Sequence, residues 1–191
     1  VRRERIDFFV PVSHSSNECV DALVREALTP LGCETIHGNV EQLNMLSDKY
    51  AFIARARNLG LTVPKTVKIT DRQQVLDFDF ASDKCTFILK RIQYDCVSRS
   101  NLVKLPCATR EQTVTYVNSL LISEKFPWIL QEFITGKEYC THSTVKNGEL
   151  RLHTCCPSSA WLLNYTHVDG KHNVLRWVKE FCGREKITGQ V

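Results

Sequence analysis

The dipeptide Asn147-Gly148, set between two runs of alternating apolar and polar residues, constrains this chain more than any other feature. A two-residue connection of this kind takes a type I′ turn. Asn and Gly tolerate the positive φ it needs at both centres, and its twist matches that of paired strands, so the flanking runs are expected to form an antiparallel hairpin. With Asn147 and Gly148 in the turn, Cys140 faces Cys155, His142 faces His153 and Thr144 faces Arg151. One face then carries Glu138, Cys140, His142, Thr144, Arg151, His153 and Cys155; the other carries Tyr139, Thr141, Ser143, Val145, Leu150, Leu152, Thr154 and Cys156. The second set is the more apolar and is expected to pack. The first, with a carboxylate, an arginine and two imidazoles, is left open to a ligand.

Upstream, the chain alternates strand and helix signals. Residues 6–12 form a short apolar run that ends in a Ser- and Asn-rich cap, and Cys19, Val20, Leu23, Val24, Ala27 and Leu28 then follow the helical period until Pro30 and Gly32 stop it. Residues 33–37 read as a second strand, giving a strand-helix-strand unit of parallel type. A helix follows from about Ser47, with Ser47 and Asp48 as competing caps and Gly60 as its end. The run 62–69 is a strand whose Pro64 argues for a sheet edge. Residues 71–80 read as a short helix, 86–92 as a strand, and 109–122 as a helix capped by Thr109. The expected class is therefore α/β, or α+β, with a strand-helix-strand unit over 1–46, a helix and compact α+β unit over 47–128, and a last part, 129–191, built on the hairpin.

Composition removes several function classes. The 191 residues are 43% hydrophobic, enough for a real core, and the net charge of +4 is spread without a block of like charges, which does not favour nucleic acid. No apolar run approaches the roughly 20 residues that cross a bilayer, and no secretory leader is legible. Nine cysteines without a C-x-x-C pair argue against zinc ribbons and for reduced thiols in a cytoplasmic protein. His142 with His153 reads as a polar pair lining a cleft more readily than as a metal site, because a third ligand is missing. Cys155 reads as a cleft-lining thiol without an oriented base. Trp161, Tyr165 and Trp177 are expected to pack the last subdomain.

Three pieces then fit together: Ser47-Asp48-Lys49-Tyr50 opening a helix, the strand Phe87-Ile88-Leu89-Lys90, and Trp128 to Tyr139, in which an apolar strand ends in Glu132 ahead of Gly136 and Glu138. Their order resembles the ATP-grasp superfamily, in particular its carbamoyl-phosphate-synthetase-like and carboxylate–amine ligase branches. In that family two α+β subdomains hold ATP between them after a Rossmann-like domain. The resemblance implies that residues 1–46 are the end of a Rossmann-like unit, 47–128 a linker helix with the first subdomain, and 129–191 the start of the second subdomain. The resemblance implies that Lys49 and Lys90 touch phosphate or adenine N7, that Gln131, Glu132, Phe133 and Ile134 form the adenine hinge, and that Glu138 takes the ribose. It implies ATP and magnesium as cofactors, a small carboxylate substrate, and phosphoryl transfer followed by acyl transfer, in which positioning matters more than a protein nucleophile. Arg151 is the residue of the polar hairpin face suited to a carboxylate, with His153 beside it.

Two departures from the family pattern stand out. The stretch after Lys90 has no glycine where a phosphate-covering loop is usual, so Ser98 and Arg99 are expected to supply side-chain donors instead. No acid-x-Asn pattern for magnesium appears before Val191, so those ligands are expected beyond it, and the chain reads as a fragment of a longer enzyme, inactive alone. The alternative reading is a noncatalytic nucleotide-binding or scaffold domain that keeps the fold. A homo-oligomer is compatible with either.

Overall fold

The computed structural model describes residues 3–11, 18–93, 102–159 and 166–191. It divides into two compact units, residues 47–135 and residues 1–46 with 136–191. None of the helices among the described residues is long and apolar enough to cross a membrane.

Among its described residues the unit 47–135 forms a four-stranded antiparallel sheet with three helices. In chain order it comprises α3 (Lys49–Asn58), β3 (Thr66–Ile69), α4 (Arg72–Leu76), β4 (Phe87–Arg91), β5 (Lys104–Leu105), α5 (Arg110–Ser119) and β6 (Trp128–Glu132), with sheet order β3-β6-β4-β5. β3 is an edge strand, as Pro64 just before it requires. β6 is an inner strand, so Trp128–Glu132 lies with this unit and not with the hairpin that follows. The helix starts are set by side chains. Asp48 accepts from the Ala51 N–H at 2.7 Å, Asp71 forms a capping box with Gln74, and Thr109 accepts from the Gln112 N–H. One sheet face buries Ile69, Phe87, Leu89, Leu105, Trp128 and Leu130 against Val75 and Val117. The other face meets α3, whose Ile53 and Ala56 are buried.

The second unit opens with the expected parallel pair. β1 (Phe8–Phe9) and β2 (Glu34–Thr35) flank α1 (Glu18–Leu28), and α2 (Val40–Ser47) follows. The strands are shorter than the runs 6–12 and 33–37. The rest of the unit is β7 (Tyr139–Lys146), β8 (Glu149–Pro157), α6 (His172–Arg184) and β9 (Gly189–Gln190), with β7 between β8 and β9. Asn147 and Gly148 have φ of 52° and 83°, as a type I′ turn demands. The turn is docked: the Gly148 N–H donates to Ile187 O at 2.8 Å, and the Asn147 N–H to Thr188 Oγ1 at 2.9 Å.

The hairpin register departs from expectation beyond the second rung. Val145 faces Leu150 and Lys146 faces Glu149 as predicted, but a β-bulge follows and Thr144 then faces Leu152, Ser143 His153, His142 Thr154, Thr141 Cys155 and Cys140 Cys156. The extra residue is Arg151, which stays exposed beside the Glu149 carboxylate, and Leu152 is 60% exposed. His142 and His153 therefore lie on opposite faces, and His153 and Cys155 join Ser143 and Val145 on the packed side. The bulge allows this because it keeps the guanidinium in water while an imidazole goes inward, where it costs far less than an unpaired cation.

Candidate functional site

The best-defined polar cluster lies on the α3 side of the four-stranded sheet. Thr66 on β3 faces Gln131 on β6, and Gln131 faces Ile88 on β4, two residues from Lys90 on the same face. The side chains form a line. Lys90 Nζ donates to Gln131 Oε1 at 3.0 Å, and Gln131 Nε2 donates to Thr66 Oγ1 at 3.2 Å. Thr66 and Gln131 are buried and Lys90 is half-buried. A charge-assisted bond of this kind stabilises by about 1.5–3 kcal/mol, and losing it would leave a buried amide unpaired. The lysine thus has a fixed ammonium position instead of a free strand-end tether. Thr66 is the member of this line that sequence reading missed; the Thr-Val-Lys-Ile alternation of β3 would place it on the Gln131 face once strand order is known.

Lys49 sits in the first turn of α3, half-buried, and Nζ donates to the carbonyls of Ile92 at 3.0 Å and Gln93 at 3.3 Å. It ties the start of that helix to the end of β4, the strand that carries Lys90. Two cations are thereby placed by the same strand end. Ser98 and Arg99 lie outside the described residues.

The segment after β6 is held by its backbone. The Glu132 N–H donates to Lys65 O and the Phe133 N–H to Thr86 O, both at 2.8 Å, while Glu132 Oε2 accepts from the Lys65 N–H at 3.0 Å. The Glu132 carboxylate therefore secures β6 to the approach of β3. Lys104 Nζ stands 4.4 Å from the centre of the Phe133 ring, a cation–π contact, and Ile134 is 65% exposed. An exposed aliphatic directly after this tethered stretch offers apolar surface at the end of an inner strand.

In the other unit Glu138 is exposed, and its carbonyl accepts from the Ser158 N–H at 2.9 Å. Alternation along β7 keeps it on the face of Cys140 and His142. Arg151 and His153 do not share that setting. Arg151 is engaged by Glu149, and His153 Nδ1 lies 2.9 Å from Ser143 Oγ with its Nε2 buried and without a hydrogen-bond partner among the described residues. Burial, with His167 and Lys179 nearby, pushes the His153 imidazole below its ordinary value, so it is neutral near pH 7. Among the described residues no group of three or more His, Cys, Asp or Glu side chains could hold a metal ion.

No protein-family model matches the chain. An uncharacterised protein of Methanocaldococcus jannaschii is 30% identical over 109 residues, 56% of this chain and 26% of that protein. Among solved structures, D-alanine–D-alanine ligase from Bacillus anthracis complexed with ATP matches 99% of this chain and 63% of its own, with 14% identity and a TM-score of 0.61. N5-carboxyaminoimidazole synthetase from Staphylococcus aureus complexed with ADP matches 98% of this chain and 48% of its own, with 11% identity and a TM-score of 0.64. A RimK domain protein, ATP-grasp, from Sphaerobacter thermophilus matches 89% of this chain and 61% of its own at 12% identity and a TM-score of 0.60. The chain spans about half to under two thirds of the length of these structures, and a quarter of the M. jannaschii protein. Its fold is the ATP-grasp fold.

Proposed function

We propose that this chain binds ATP and is the nucleotide-binding portion of a ligase that activates a small carboxylate as an acyl phosphate and passes it to an amine or similar nucleophile. Lys90 is the observation that carries the reading. A lysine held by a buried Gln–Thr line on the sheet of an ATP-grasp fold is a preorganised cation, which a polyphosphate or adenine N7 can meet without further ordering. Lys49 supplies the second cation, the segment Gln131, Glu132, Phe133 and Ile134 lies along the adenine, and Glu138 takes the ribose hydroxyls. The solved neighbours with ATP and with ADP support a nucleotide as the ligand class. Arg151 and His153, engaged by Glu149 and Ser143, have no part in this reading, so the acid substrate is bound by other groups.

The test is calorimetric titration of the full chain with ATP in magnesium buffer. Binding is expected, weakened about tenfold or more in Lys90→Met and in Glu138→Gln, in keeping with about 1.5–3 kcal/mol for a charged hydrogen bond. Glu138 is exposed, so its variant should keep the native melting temperature. Absence of binding at millimolar ATP, or unchanged affinity in both folded variants, would overturn the assignment.

A further inference from the structure

Beyond nucleotide binding, the hairpin carries a pair of thiols that the bulge brings into register. Cys140 and Cys156 are directly opposed across β7 and β8, both as free thiols, with Cys140 exposed and Cys156 fully buried. The type of rung can be read from its neighbours. Ser143 spends its backbone N–H and C=O on Val191, at 2.7 and 2.9 Å, so they point away from β8. Cys155 turns its backbone outward as well: its N–H donates to His167 Nδ1 at 3.2 Å and its C=O accepts from the Val168 N–H at 2.8 Å. The Ser158 N–H, by contrast, donates across the ladder to Glu138 O. Rungs alternate, so Cys140–Cys156 is a hydrogen-bonded rung, with Cα atoms about 5.5 Å apart. That separation lies inside the span of about 4.4–6.8 Å that a disulfide bridges.

We infer that Cys140 and Cys156 close into a reversible disulfide, a redox-sensitive clamp across the open end of the hairpin. The Cβ atoms of such a rung must approach from about 5 Å to about 4 Å, so the bond forms under strain and is easily reduced. The co-reactant is a low-molecular-weight disulfide such as oxidised glutathione. The Cys140 thiolate attacks one of its sulfurs, the S–S bond breaks, and one glutathione leaves as thiolate. Cys156 then gives its proton to that thiolate and attacks the Cys140 sulfur, expelling the second glutathione. Two protein thiols are oxidised and one glutathione disulfide is reduced to two thiols. Burial of Cys156 does not block this sequence, because only the first step meets a reagent from solution and the second is intramolecular. Cys155 is not the partner, since it points to the packed face, where burial pushes its thiol above the ordinary value.

The experiment exposes the folded full chain to glutathione at graded ratios, alkylates the remaining thiols and maps tryptic peptides by mass spectrometry. Cleavage after Lys137, Lys146, Arg151 and Lys171 separates Cys140 from the peptide that holds Cys155 and Cys156. The expected product links peptide 138–146 to peptide 152–171 with loss of two hydrogens. It is absent in Cys140→Ser and Cys156→Ala, retained in Cys155→Ala, and reversed by about a tenfold excess of reduced glutathione. Full alkylation of both peptides in natively folded protein at every ratio would overturn the inference, as would a link that survives in Cys156→Ala. If Cys156→Ala fails to fold, loss of the link in Cys140→Ser, an exposed position, together with its retention in Cys155→Ala still decides the matter.

Discussion

Replacing Gly148 by alanine tests the docked hairpin turn most directly. Its φ of 83° costs an L-residue about 1–2 kcal/mol, partly offset by about 0.4–1 kcal/mol from the stiffer unfolded chain. A methyl group there would also stand 3.1 Å from Gly183 Cα, 3.1 Å from Gly183 O and 3.2 Å from Cys182 O. These are backbone atoms at the end of α6 and cannot rotate aside, so the turn and helix must separate, which typically adds about 1–3 kcal/mol and strains the bond from the Gly148 N–H to Ile187 O. Gly170 is the matched control: φ is 79° and no atom lies within 4 Å of the added carbon. Gly148→Ala should therefore destabilise by about 1–3 kcal/mol more than Gly170→Ala. For a chain of this size that is a further drop of about 4–8 °C in melting temperature at a difference of about 2 kcal/mol, read by circular dichroism. If the two variants melt within about a degree of each other, the turn does not bear on α6 as described.

Stability of the native chain should fall as pH falls through about 6.5, the ordinary histidine value, and go on falling toward the lower value of folded His153. Burial, with His167 and Lys179, depresses that imidazole, so the unfolded state binds more protons in this window. His153→Gln should flatten the slope of urea midpoints between pH 5 and pH 7, and an unchanged slope would assign the dependence elsewhere. Deleting Arg151 should cost no more than about 1 kcal/mol, because the Thr144–Leu152 and Val145–Leu150 rungs then become consecutive and every side chain keeps its face. Deleting Leu150 instead should lower the midpoint far more, and equal tolerance of the two deletions would contradict the bulge.

What sequence revealed and what it hid divides by the range of the cause. Local chemistry was legible. The Asn-Gly turn, the caps Asp48 and Thr109, and the edge position signalled by Pro64 all follow from signals within a few residues, whereas Asp71, read as the start of a helix, is its cap. α6 carried a readable period in Val174, Leu175, Val178, Phe181 and Cys182, yet it has no side-chain cap, since Lys171 cannot accept from the first turn, and it passed unnoticed. β5 and β9 are two residues each and exist only through their partners. The register failed for a related reason. Leu150, Leu152, Thr154 and Cys156 alternate as well as Leu150, His153 and Cys155 do with one residue set aside, and choosing between them needs the packing on each face. Lys90 and Gln131 were recognisable as site residues only through a family pattern, and separately; their bond to each other and the Thr66 end of the line depend on β6 lying between β4 and β3, which no local signal reports.

The division of the chain also has a consequence for its biosynthesis. The Gln42 side chain donates to Lys186 O at 3.0 Å across a sequence separation of 144, and Lys146 pairs with Glu34 across 112. At about 5–20 residues per second, a ribosome delivers the partner of Gln42 roughly 7–30 s after Gln42 itself. Residues 47–135 are contiguous and can complete their sheet within that interval, whereas residues 1–46 wait through it for their partners in residues 136–191. During translation, then, residues 1–46 are made before the central unit and secured after it, so their contacts with residues 136–191 are among the last to form.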